Sequence, residues 1–200
     1  MTKVKFCGLR RPTDVSAARD LGADYAGFIL SEGFKRTIGL GTFCELKGYL
    51  TGSETKIVGV FVDEPLEGIL DIYAGMLDMI QLHGSEDEDY IRTLKMRTDK
   101  PVIKAFKIES EEDVRRACES SADYILLDSG TGTGKTFDHS LIKDIDRPYF
   151  LAGGLTPDNV REAVDTLHPF AVDASSGIES NSKKDKTKMA DFIAAVSREG

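Results

Sequence analysis

The chain has 200 residues, 40% of them hydrophobic, with 26 Lys and Arg set against 34 Asp and Glu for a net charge of −8. That length and apolar content support one domain, residues 1–200, with a substantial core. The negative balance argues against nucleic acid as a partner, because affinity for a phosphate backbone comes mostly from Lys and Arg, although a small anion needs only a local positive site.

The first apolar run, KVKFC from Lys3, reads as a strand. The surrounding N-terminus, MTKVKFCGLRRPTD, lacks the apolar core of a signal peptide, and no later run approaches the length of a membrane span. No membrane partner and a cytoplasmic location are the expectation. RPTDVSAARDLGA follows as a helix, with Thr13 or Asp14 as its cap and Val15, Ala18 and Leu21 on one face. YAGFIL from Tyr25 is the second strand, and the connection after it, residues 31 to 55, is the longest, so a loop containing FKRTIGLGTF precedes its helix. KIVGVFV from Lys56 and LDMIQLH from Leu77 are the third and fourth strands, and a helix over SEDEDYIRTLKMR leads to PVIKAF from Pro101. A helix over SEEDVRRACESSA leads to DYILLD from Asp123. PYFLAG from Pro148, a helix over TPDNVREAVDTL and FAVDAS from Phe170 come next, and SKKDKTKMADFIAAVSRE closes the domain. The internal helices open on Ser or Thr before acidic residues, which favour a helix N-terminus.

Eight near-continuous apolar strands suit a sheet covered on both faces, and parallel neighbours require crossovers. Eight strand-helix units predict an α/β fold of the (β/α)8 TIM-barrel type, with phosphate-binding loops after strands 7 and 8. Barrel chemistry lies at the C-terminal ends of the strands, which filters the candidates by position. Cys7 ends strand 1, Gln81 and His83 end strand 4, and Asp128 ends strand 6. Cys44 and Cys118 fall elsewhere, and three separated cysteines suggest neither a disulfide framework nor a metal pair.

The turns LAGGLTPDNV and VDASSGIES carry the clearest site signal. Gly153 and Gly154 let a backbone approach an anion, and Ser175, Ser176 and Gly177 offer N–H groups and hydroxyls, which points to a phosphorylated small molecule. Cys7 is either a packed small hydrophobe or a base whose thiol must be tuned by its surroundings, with Lys5, Arg10 and Arg11 close in sequence. Asp128 could cap the glycine turn after it or, with its pKa raised, donate a proton. Arg36 could pair a substrate carboxylate through its planar fork or be a solubilising surface residue. Gln81 and His83 suit substrate contact or structural hydrogen bonding, and His139 and His168 look structural. The stretch SGTGTGKT approaches the G-x-x-x-x-G-K-[ST] phosphate loop but has Ser129 where the first glycine belongs, and it follows strand 6, whereas such loops open a sheet's first unit.

In their order and spacing these motifs resemble the phosphoribosylanthranilate isomerases of tryptophan biosynthesis. KFCGLRRPTD is similar to that family's opening segment, GVFV and QLHG to its third and fourth strands, LLDSGTGTGKTFD to its sixth strand and glycine loop, and LAGGLTPDNV with DASSGIES to its phosphate cradle. The resemblance implies that Cys7 is general base and Asp128 general acid in an Amadori rearrangement, with Arg36 on the anthranilate carboxylate. Gln81, His83, Gly153, Gly154, Asp173, Ser175, Ser176 and Gly177 would contact substrate. It implies neither a metal nor an organic cofactor, and leaves a monomer or a homodimer open. The chain departs from the family around SEGFKRTI, in SSGIESNSKKD, which lacks the usual Pro-Gly step, and at His139, where tryptophan is common. Two other readings stand beside it: a different phosphosugar barrel, an epimerase or lyase, for which Lys104 could serve as a Schiff-base lysine, and a nucleotide-binding protein built on Lys135.

Overall fold

The computed structural model describes residues 1–128, 141–142 and 145–197. Eight parallel strands close into a barrel in chain order: β1 (Lys3–Cys7), β2 (Tyr25–Ile29), β3 (Lys56–Phe61), β4 (Met79–Leu82), β5 (Val102–Lys107), β6 (Tyr124–Asp128), β7 (Tyr149–Ala152) and β8 (Ala171–Ala174). Helices α1 (Pro12–Asp20), α2 (Leu40–Gly48), α3 (Glu88–Arg97), α4 (Glu111–Glu119), α5 (Val160–Leu167) and α6 (Lys186–Ser197) pack outside. A two-residue hairpin, β9 (Glu179–Ser180) with β10 (Lys183–Lys184), follows β8. Among the described residues no helix is long and apolar enough to cross a membrane.

Strand residues point alternately in and out, so each strand feeds two cores. Outward residues such as Phe6, Phe28, Ile80 and Leu127 meet the helices, whereas Tyr25, Val58, Met79, Leu126 and Phe150 fill the barrel. At the N-terminal end the filling is aromatic. Tyr25 and Tyr124 both pack edge-on against Phe150, at 5.4 and 5.8 Å, and the Lys3 ammonium caps the layer 5.0 Å from the Phe170 ring. That end is plugged, which leaves the C-terminal mouth for function.

The helices begin differently from the sequence expectation. α1 is entered from Arg11, not Thr13 or Asp14, because Pro12 fixes the first helical residue, and Asp14 instead reaches back to accept the Arg10 and Arg11 backbone N–H groups at 3.2 and 3.1 Å. α3 is capped by Asp87, which accepts from Tyr90, while Ser85 bonds to Asp63; α4 is capped by Ser110 as expected. α5 starts after Asn159, whose side-chain Oδ1 accepts the Thr156 N–H, and ends on His168 in the left-handed region, a structural role for that histidine. The crossover from β3 to β4 is a π-helical turn (Gly68–Tyr73) with a 3-10 turn (Ala74–Met76), not an α-helix. Lys135 and His139 lie outside the described residues.

Phe43 of α2 shows how the outer layer is held. It is fully buried and meets Phe28 at 5.4 Å and Tyr73 at 6.0 Å, both edge-on. Phe43→Ala is expected to lower the unfolding free energy by about 3–5 kcal/mol, the range for a large cavity under a packed helix. Equilibrium urea denaturation measures it, and a loss under about 1 kcal/mol would contradict the packing described.

Candidate active site

Strand parity assembles the site. In β1, Lys3, Lys5 and Cys7 share the inward face, and the same alternation turns Gln81, Asp128 and Asp173 inward near the ends of β4, β6 and β8. They line a cavity of about 400 Å³ at the C-terminal mouth, and all eleven sequence-predicted site residues border it. Cys7, Gln81, His83 and Asp128 stand at strand ends; Gly153, Gly154, Asp173, Ser175, Ser176 and Gly177 come from β8 and the turns after β7 and β8; Arg36 comes from the loop after β2.

Cys7 sits over a buried charge pair. Lys5, wholly buried, donates to Asp173 Oδ2 at 2.7 Å and also to the Cys7 sulfur. Burial pushes the thiol above 9.0, with Lys5 and Lys184 pulling it back and Asp173 pushing further up. Lys5 titrates above 10.5, since Asp173 and Cys7 outweigh a desolvation that alone would lower it. Gly27 of β2 makes the pair possible: a Cβ there would lie 3.0 Å from Cys7 Sγ and 3.1 Å from Lys5 Nζ.

Asp128 lines the cavity from the end of β6. His83 Nε2 is 3.6 Å from its Oδ2, and Nδ1 of the same ring is 3.1 Å from Gln81 Nε2, so that histidine nitrogen is the acceptor. Gln81 Oε1 and Asp173 Oδ1 are buried and have no hydrogen-bond partner among the described residues. Both oxygens belong to residues that line the cavity.

The turns after β7 and β8 form the cradle. Gly153 and Gly154 take φ of 96° and 64°, which only glycine adopts readily. A Cβ on Gly177 would overlap the Leu155 carbonyl, so the two turns touch through bare backbone. Lys184, almost fully buried, fixes the Ser175 end by donating to its carbonyl at 2.9 Å.

Arg36 donates from Nε and Nη2 to the two Glu179 carboxylate oxygens, at 2.7 and 2.9 Å. Glu179 also accepts from Lys184 at 3.0 Å, and although burial opposes it, these bonds bring its pKa down from 4.5 to about 2. Ile29, Phe34, Val60 and Val62 give the cavity an apolar wall. Lys104 does not line it: its ammonium is bound to Glu86 at 2.8 Å and to the Gly84 carbonyl at 2.6 Å. A lysine so engaged is unsuited to Schiff-base chemistry. Lys5 was legible in principle, having the parity of Cys7, but Glu179 and Lys184 lie in a two-residue hairpin and Phe34 in a loop, too short or too irregular for periodicity to mark an inward residue.

The comparisons with known proteins point to one family. The family model for N-(5'phosphoribosyl)anthranilate (PRA) isomerase matches residues 4–195. The chain is 41% identical over 199 residues to the N-(5'-phosphoribosyl)anthranilate isomerase of Endomicrobium trichonymphae, covering 96% of this chain and 97% of that one. Among solved structures it is similar to a phosphoribosyl anthranilate isomerase in complex with reduced 1-(o-carboxyphenylamino)-1-deoxyribulose 5-phosphate, with a TM-score of 0.86, 38% identity and 98% of each chain covered. It is likewise similar to monomers generated from the dimeric enzyme of Thermotoga maritima, with a TM-score of 0.87, 39% identity and 98% of each chain covered.

The raised thiol has a direct consequence. At pH 7 little of Cys7 is thiolate, and the thiolate is the reactive form, so its alkylation by iodoacetamide is expected to lag that of exposed Cys44 and to climb as pH passes 9. Peptide mass spectrometry after timed labelling resolves the two. Rapid labelling of Cys7 at pH 7 would contradict the environment described.

Proposed function

Because the chain belongs to the N-(5'-phosphoribosyl)anthranilate isomerase family, we propose that Cys7 and Asp128 carry out that family's reaction in tryptophan biosynthesis. The reaction is the Amadori rearrangement of N-(5-phosphoribosyl)anthranilate to 1-(2-carboxyphenylamino)-1-deoxyribulose 5-phosphate, an aldose-ketose isomerisation. Asp128 protonates the ribose ring oxygen as the ring opens to a Schiff base. Cys7 takes the proton from C2, and the enolamine tautomerises to the ketone with a proton added at C1, so nothing is oxidised or reduced overall.

The observation that carries this reading is one cavity that Cys7 and Asp128 line from different strands together with an arginine and glycine-rich turns. A base and an acid need differently tuned surroundings. Cys7 is buried beside Lys5, whereas the Asp128 side chain keeps 27% of its exposure and faces His83. Gly153, Gly154, Ser175, Ser176 and Gly177 receive the phosphate, Arg36 the anthranilate carboxylate, and Gln81, His83 and Asp173 the sugar hydroxyls. The cavity volume falls within the span usual for small-molecule sites, about 300–1,000 Å³. The chemistry assigned to Cys7 and Asp128 requires no cofactor.

We further read residues 1–200 as one domain working in the cytoplasm, as suits a biosynthetic enzyme, on a small phosphorylated substrate and not on nucleic acid. A monomer or homodimer is the proposed assembly, the Thermotoga maritima relative being described as dimeric.

Loss of anthranilate-derivative fluorescence from freshly prepared substrate follows the reaction. Cys7→Ala and Asp128→Asn are each expected to lower kcat by about 10²–10⁴, the usual contribution of a positioned acid or base, while leaving the melting temperature near that of the parent. A near-parent rate in either variant removes that residue from its role, and no turnover by the folded parent removes the reaction.

A further inference from the structure

We propose that Glu179 is a positioning residue that aims Arg36 and so sets the site's selectivity for a substrate bearing an aryl carboxylate; this deepens the reading above and rests on it. A guanidinium is planar, with five N–H groups arranged on two usable edges, one formed by Nε and Nη2 and the other by Nη1 and Nη2. Glu179 takes the first edge, Oε1 from Nε at 2.7 Å and Oε2 from Nη2 at 2.9 Å. What remains is the Nη1/Nη2 edge, on an arginine that lines the cavity. Arg36 can therefore bridge two carboxylates, one of its own chain and one of a ligand.

Two further features make this more than an ordinary ion pair. Glu179 opens β9 directly after the 3-10 turn Ser176–Ile178, so the residue aiming the arginine is tied by one peptide bond to the turn that forms the phosphate cradle. The span between the two ends of a ligand is thereby set by the chain itself. Charge also fits: Arg36 and Lys184 both bind Glu179, giving two cations to one anion and one positive charge left for a monoanionic carboxylate. Without Glu179 the two cations would face each other uncompensated, and Arg36 would be free to turn away.

Selectivity is the readout that a merely structural role would not move. The test compares kcat/KM for N-(5-phosphoribosyl)anthranilate with that for the adduct made from aniline, which has the same sugar phosphate and ring but no carboxylate. In the parent the carboxylate-bearing substrate is expected to be strongly preferred. In Glu179→Gln the amide sets a donor against Nη2–H, and the preference is expected to fall by about tenfold or more, mainly through KM for the anthranilate substrate. Glu179→Asp, one methylene shorter and unable to hold both guanidinium nitrogens, is expected to do the same and decides the matter if the Gln variant does not fold. Equal losses on both substrates, or an unchanged preference, would overturn the proposal while leaving the reaction in place. Turnover of neither substrate by the parent would overturn the reaction and this proposal with it.

Discussion

An ammonium group with no access to water is the constraint on which the rest of this structure depends. Lys5 lies inside the barrel, and a charge there is tolerated only when it is paired and hydrogen-bonded. Its carboxylate is Asp173 on β8, its register partner across the seam where the last strand meets the first. Barrel closure and charge compensation are thus one event, and the Cys7 sulfur is the third member of the group. Losing either ion would strand the other in the interior, a change that generally costs about 3–5 kcal/mol.

From that group the mouth of the barrel is built outward by further ion pairs. Arg36 from the loop after β2 and Lys184 from β10 converge on Glu179, and Lys184 reaches back to Ser175. Arg11 from the first loop donates to the Lys184 carbonyl. Three loops distant in sequence are held together by buried or half-buried charges, which suits the proposed binding of a phosphate, a sugar and a carboxylate at fixed separations. The clamp between Lys104 and Glu86 does the same on the far side, where Glu86 also accepts the backbone N–H groups of Asp63 and Gly84. It steadies the turn that follows His83.

Much of this was legible in the sequence because alternation is a strong signal. Apolar runs at Lys3, Tyr25 and Lys56 begin where the strands begin, the later ones start within two residues of them, and the strand-end rule brings Cys7, Gln81, His83 and Asp128 to one cavity. Helix starts were read less well. Thr13 and Thr156 look like caps, but Pro12 and Asn159 set the starts, since the cap is chosen by local backbone geometry. The β9–β10 hairpin stands where the family's Pro-Gly step is missing, and Asn181 and Ser182 take positive φ to make its turn. Nothing periodic marks Glu179 or Lys184, whose importance comes from contacts made across the barrel mouth.

The central claim is that Cys7 removes a proton from C2 of the sugar. A thiol exchanges its proton with water, so a substrate deuterated at C2 tests it directly. Mass spectrometry of the product formed in ordinary water should find the label lost to solvent for the most part. Full retention of the deuterium, moved from C2 to C1, would mean a direct hydrogen shift within the substrate and would contradict the role assigned to Cys7.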